Sequence, residues 1–165
     1  MLSKFHDQKQ ETSGVMNQYV VFVLDGQEFG VEIKQSREII NSTELTSIPN
    51  APDFVEGVTN LRGEIVPIID LGERLNLSKT EHSKENKIII VEIDGTMAGM
   101  EVDDVEGIIR LNRENIGKAP KITQGLNKEY ISGVGKLDEK LLILLNLDRV
   151  LSRDEVEQLE DIELE

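Results

Sequence analysis

QYVVFVLDGQEFGVEIKQSREII, residues 18–40, returns without a gap as KIIIVEIDGTMAGMEVDDVEGII, residues 87–109. Asp25-Gly26, Gly30, Glu32, Ile39 and Ile40 recur as Asp94-Gly95, Gly99, Glu101, Ile108 and Ile109. A second match follows in the same order, FVEGVTNLRGEIVPIIDLGERL (54–75) against YISGVGKLDEKLLILLNLDRVL (130–151). There Gly57, Val58, Leu61, Leu71 and Leu75 recur as Gly133, Val134, Leu137, Leu147 and Leu151. Two matches in one order mark an internal repeat, and with it two pseudo-equivalent units.

The first segment of each repeat reads as a hairpin. A β-branched run meets Asp-Gly, a pair suited to positive φ, and a second apolar run carries one glycine, which predicts a bulge or a close backbone approach. IKQSREII after the first hairpin reads as a short helix or another strand, whereas VDDVEGII, with its β-branched residues and Gly107, reads as strand. The second segment is strand, turn, strand, with Arg62-Gly63 and Asp138-Glu139 at the tips. It ends in helical pieces that Asp70 and Asn146 can cap. Pro67 inside IVPII predicts an edge strand or a bulge. Ser152 with Glu155 has the capping-box spacing, so the acidic tail, residues 152–165, is expected to begin as a helix. Many short strands separated by turns predict a mostly β fold of two small barrels or a sandwich. The expected division is a flexible N-terminus (1–17), a first unit (18–82) and a second (83–151), with strand exchange between the halves left open.

Composition narrows the function. The chain of 165 residues carries a net charge of −14, no cysteine and two histidines. Absence of cysteine removes disulfides, thiol nucleophiles and thiolate metal sites. The acidic balance repels phosphate backbones and anionic lipid, so nucleic acid and the membrane surface are poor partners, an oligonucleotide-binding small barrel included. The polar opening residues lack the apolar run of a signal or anchor, which predicts a cytoplasmic protein. No nucleophile elbow, phosphate loop or metal-ligand spacing is present, and His6 and His82 stand in polar stretches without companion ligands. Asp103-Asp104 reads as a solvated strand end rather than an acid–base pair. No catalysis and no cofactor are expected.

GVTNLRGEIVPIIDL (57–71) resembles the signature of CheW-like domains, and DGQEFGVEI, KIIIVEIDG and YISGVGKLDEKLLILLNL fall where that family has its other blocks. The resemblance spans residues 18–151. It implies two five-stranded SH3-like barrels packed together, with a few short helices. It also implies a non-enzymatic adaptor that joins the cytoplasmic hairpin tip of chemoreceptors, the methyl-accepting chemotaxis proteins, to the regulatory domain of the histidine kinase CheA. A coupler of a specialised receptor–kinase pathway is the alternative. Such a protein would be cytoplasmic and recruited to membrane receptor arrays. For receptor binding the resemblance and the groove expected between barrels nominate Ile33, Glu38, Ile39, Arg62, Val102 and Val105; kinase-contact residues are not assigned. Arg62 replaces the Asp138 of the other repeat and Glu38 replaces Gly107, so an ion pair between Arg62 and Glu38 is expected to be particular to the first unit.

Overall fold

Asp25, Gly26, Asp94 and Gly95 all have positive φ, between 51° and 82°, as two-residue hairpin turns that follow strand twist require. Around these turns β1 (Met16–Leu24) pairs with β2 (Gln27–Glu32), and β6 (Lys87–Ile93) with β7 (Thr96–Val102). The computed structural model describes residues 16–77, 84–118 and 128–163. The remaining strands are β3 (Ser36–Asn41), β4 (Val55–Leu61), β5 (Glu64–Asp70), β8 (Asp104–Asn112), β9 (Ile116–Gly117), β10 (Ile131–Leu137) and β11 (Lys140–Leu145). Helices α1 (Leu71–Arg74) and α2 (Arg153–Glu163) follow β5 and β11, the latter after a short turn of 3-10 helix. His6, His82 and nearly all of the N-terminal segment lie outside the described residues.

The strands form two sheets, ordered β8-β1-β2-β11-β10-β9 and β3-β6-β7-β5-β4. The expectation of five strands per unit is met in one sheet, and the other gains the two-residue β9. Neither sheet follows the division at residues 82 and 83. Each repeat sends its leading hairpin into the sheet built by the rest of the other repeat: β1–β2 stands with β8–β11, and β6–β7 with β3–β5. The two junctions are equivalent. Gly30 on β2 faces Leu144 on β11 in parallel register, and Gly99 on β7 faces Ile68 on β5. Close approach explains both glycines, since a Cβ on Gly99 would lie 2.5 Å from Ile68 Cδ1 and 2.7 Å from Ile88 Cγ2.

Three apolar clusters follow from this exchange. Tyr19, Val21, Leu111, Leu142 and Leu144 fill one sheet's own concavity, and Val66, Ile68, Ile88 and Ile90 fill the other's. The alternate residues of the same strands, including Val20, Phe22, Leu24, Ile89, Val91 and Ile93, enter a larger cluster shared by both sheets, with Val156, Leu159 and Ile162 of α2. Burial on both faces is why YVVFVL and KIIIVEI read as nearly unbroken apolar runs rather than as alternation.

Several local expectations resolve in detail. IKQSREII is both things at once, a single 3-10 turn over Ile33–Gln35 and then β3. Asp70 accepts the Glu73 N–H and Asn146 the Asp148 N–H, so both capping residues act as expected. Ser152 and Glu155 complete a reciprocal capping box, the Ser152 N–H donating at 2.8 Å and the Glu155 N–H at 3.2 Å. β5 lies between β7 and β4, yet Pro67 meets the expectation of an edge locally, because it has no ladder partner on the β7 side. Its partner Val58 spends its own N–H and C=O on Thr46, so Pro67 nitrogen faces the β7 side, and the ladder to β7 begins only at Ile68.

Candidate functional site

The two edges of the five-stranded sheet are linked by the chain that follows β3. Beyond β3 the chain reaches β4, where Thr46 and Val58 exchange two backbone hydrogen bonds of 2.9 Å. The same edges are joined a second time by side chains, Arg62 at the β4–β5 tip donating to Glu38 on β3. That hydrogen bond, and then the charge of Glu38, hold the Arg62 proton more tightly than usual. The tip itself is tightened by Gly63, whose N–H donates to Asn60 Oδ1 at 2.9 Å.

Arg62 has φ of 51°, and so does Asp138 at the matching tip of the other repeat. A left-handed conformation costs a residue with a Cβ roughly 1–2 kcal/mol, least for Asp and Asn, which bond locally to the backbone. An exposed, solvent-screened ion pair returns little of that. Stability alone therefore does not account for an arginine at this tip.

The six nominated residues do not share one surface. Glu38 and Arg62 pair at the β3 edge, and Ile39, the next residue on β3, is exposed. Val102 corrects the sequence reading: it is 0% exposed within the shared core and offers no partner surface. Ile33 and Val105 are half-buried and pack against the same core. In strands covered on both faces, alternation cannot separate a partner-facing side from a second core-facing one.

Sequence reasoning passed over Ile65, Ile108 and Leu141. With Ile39 they are the large apolar residues that remain exposed among the described residues, at 37–39% for the three isoleucines and 66% for Leu141. The repeat matches Ile39 to Ile108 and Ile65 to Leu141, so Ile39 and Ile65 stand on the five-stranded sheet and Ile108 and Leu141 on the six-stranded one. The alignment already contained that signal, because aliphatic residues recur where solvated strand faces would tolerate anything.

The equivalent region of the six-stranded sheet is acidic. Glu106, whose counterpart is Arg37, lies against Glu28, with Asp104 and Lys140 nearby. A hydrogen bond with Glu28, then burial and the Glu28 charge, raise the Glu106 carboxyl above its ordinary value. The folded state thus binds this proton more tightly than the unfolded one, so its contribution to stability is full below the unfolded pKa and is lost as pH rises through the folded one. Denaturation midpoints measured from about pH 4 to 7 should show a small decline that Glu106→Gln removes; an unchanged slope in that variant would contradict the pairing. Among the described residues no group of three or more His, Asp or Glu side chains is placed to hold a metal ion. No helix among them is long and apolar enough to cross a membrane.

Comparison with known proteins agrees with this architecture. The CheW-like domain matches residues 18–155. The chemotaxis protein CheW of Klebsiella aerogenes is 35% identical over 152 residues, 92% of this chain and 90% of that protein. CheW of Treponema pallidum is 30% identical over 149 residues, with 88% of each chain covered. The crystal structure of the scaffolding protein TtCheW from Thermoanaerobacter tengcongensis superposes with a TM-score of 0.76 at 35% identity, covering 86% of this chain and 91% of that one. The domain match over residues 18–155, with relatives 30–35% identical over most of the chain, establishes that the chain belongs to the CheW-like domain family.

Proposed function

We propose that this chain joins the cytoplasmic hairpin tips of chemoreceptors to the regulatory domain of the histidine kinase CheA, in the cytoplasm beneath membrane receptor arrays. Membership of a scaffolding family makes it a non-catalytic chemotaxis adaptor. The observation that carries the finer reading is the pair of matched aliphatic sets, Ile39 with Ile65 and Ile108 with Leu141, on two sheets locked by one core. An adaptor needs two separate apolar centres with polar rims on one body. Glu38, Ile39 and Arg62 are assigned to the receptor, the arginine as its anchor, since arginine is enriched among residues that dominate interfaces.

Arg62→Gly is the test. Glycine suits φ of 51° and should leave the thermal midpoint unchanged or slightly higher. Binding to a receptor-tip fragment, measured by calorimetry, should weaken about 10-fold or more, with kinase-domain binding unaltered. Equal receptor affinity in the variant would remove Arg62 from the interface. Failure of the wild-type protein to bind either fragment would remove the coupler reading.

A further inference from the structure

Gln35 ends the crossover Ile33–Gln35, which carries the chain from β2 in the six-stranded sheet to β3 in the five-stranded one. Both ends of its side-chain amide are engaged. Nε2 donates to Asn146 Oδ1 at 2.9 Å, with Asp148 Oδ2 at 3.5 Å, and Oε1 accepts the Leu147 N–H at 3.1 Å. Asn146 and Leu147 directly follow β11. A side chain at the entrance to one sheet is thus tied to the end of the other, two residues after Ile33 and three before Glu38.

The amide tie does not recur at the second crossover. The counterparts of Gln35 and Asn146 are Asp104 and Asp70. Asp104 accepts its neighbour Val105 N–H at 2.8 Å and Asp70 caps α1, and two carboxylates cannot reproduce a donor–acceptor amide pairing. That crossover is fixed differently, by Asp103, which donates its N–H to Val23 O and accepts the Asp25 N–H. The shared apolar core resists separation of the sheets, but hydrophobic attraction is non-directional. Hydrogen bonds at defined angles select one orientation.

We propose that Gln35 is a positioning residue for coupling. It holds the Ile33–Ile39 stretch, with the Glu38–Arg62 pair, in one orientation relative to the six-stranded sheet, so that a partner on one sheet biases affinity on the other. Linkage requires such a differential interaction and makes it reciprocal. The inference rests on the coupler reading.

The test compares receptor-fragment affinity with and without saturating kinase regulatory domain, for the wild type, Gln35→Leu and Gln35→Glu. The wild-type ratio should depart from one by about threefold or more. Gln35→Leu, which loses all three hydrogen bonds, should bring the ratio to about one with each separate affinity within about twofold; Gln35→Glu, which keeps the acceptor for Leu147, should fall between. Residual dipolar couplings should fit the two sheets of the wild type to one alignment tensor and those of Gln35→Leu to two. An unchanged ratio in Gln35→Leu, a wild-type ratio of one, or a parallel loss of both affinities with the ratio retained would overturn the role. Wild-type binding to neither fragment would instead overturn the coupler reading on which it stands.

Discussion

Residues 1–80 and 81–165, produced as separate polypeptides, are each expected to show no cooperative thermal transition, and to recover native circular dichroism as a one-to-one complex when mixed. Neither half owns a whole sheet. The first contributes β1–β2 to the six-stranded sheet and β3–β5 to the other; the second contributes β6–β7 and β8–β11 in the reverse sense. Separated, each half leaves strand edges and one face of its apolar strands without partners. The shared cluster draws Phe22, Phe29 and Ile69 from one half and Ile89, Met100 and Leu145 from the other. The melting temperature of the complex should rise with concentration, as mass action requires of an associating system. A monomeric half with its own cooperative melt would contradict the exchange. Analytical ultracentrifugation with calorimetry decides it.

Phe29→Ala should be the most damaging single substitution of those considered, lowering stability by about 3–5 kcal/mol. Phe29 is 0% exposed, stacks on Phe22 at a centroid distance of 6.0 Å, and sits where β2 meets β11, in register with Ile143. The cavity would open at the junction where one repeat enters the other's sheet, with little prospect of collapse around it. Against a typical stability of about 5–15 kcal/mol this loss is a large share. The thermal midpoint should fall on the order of 10 °C, as read by calorimetry. Ile65→Ala, at an exposed position on the other sheet, should stay within about 0.5 kcal/mol. Equal effects in the two variants would mean that the exchanged junction is not where the fold is held.

Much of the fold was legible because turn chemistry is local. Asp25-Gly26 and Asp94-Gly95 specify their hairpins through positive φ, and Ser152 with Glu155 specifies the start of α2 through two reciprocal hydrogen bonds. The candidate site was legible where the repeat breaks: Arg62 and Glu38, each unlike its counterpart, meet in space although their strands are opposite edges of one sheet. It was illegible where burial decides. Val102 and Ile39 are both aliphatic residues near crossovers, yet Val102 is enclosed by the shared core and Ile39 is not. That difference belongs to what lies above each strand.

By itself the sequence determined the two repeats, their hairpins, most of their caps and the family. Only the tertiary structure decided which hairpin joins which sheet. Because Gly30 with Leu144 and Gly99 with Ile68 are equivalent junctions, the pattern along the chain fits either assignment equally well. The choice lies in the connectors. Three residues between β2 and β3, and Asp103 alone between β7 and β8, carry each strand across to the other sheet. None of these four residues has the positive φ that the hairpin turns of this chain use, so the chain bends from sheet to sheet instead of looping back within one. Packing of both sheets on one core then makes that choice permanent.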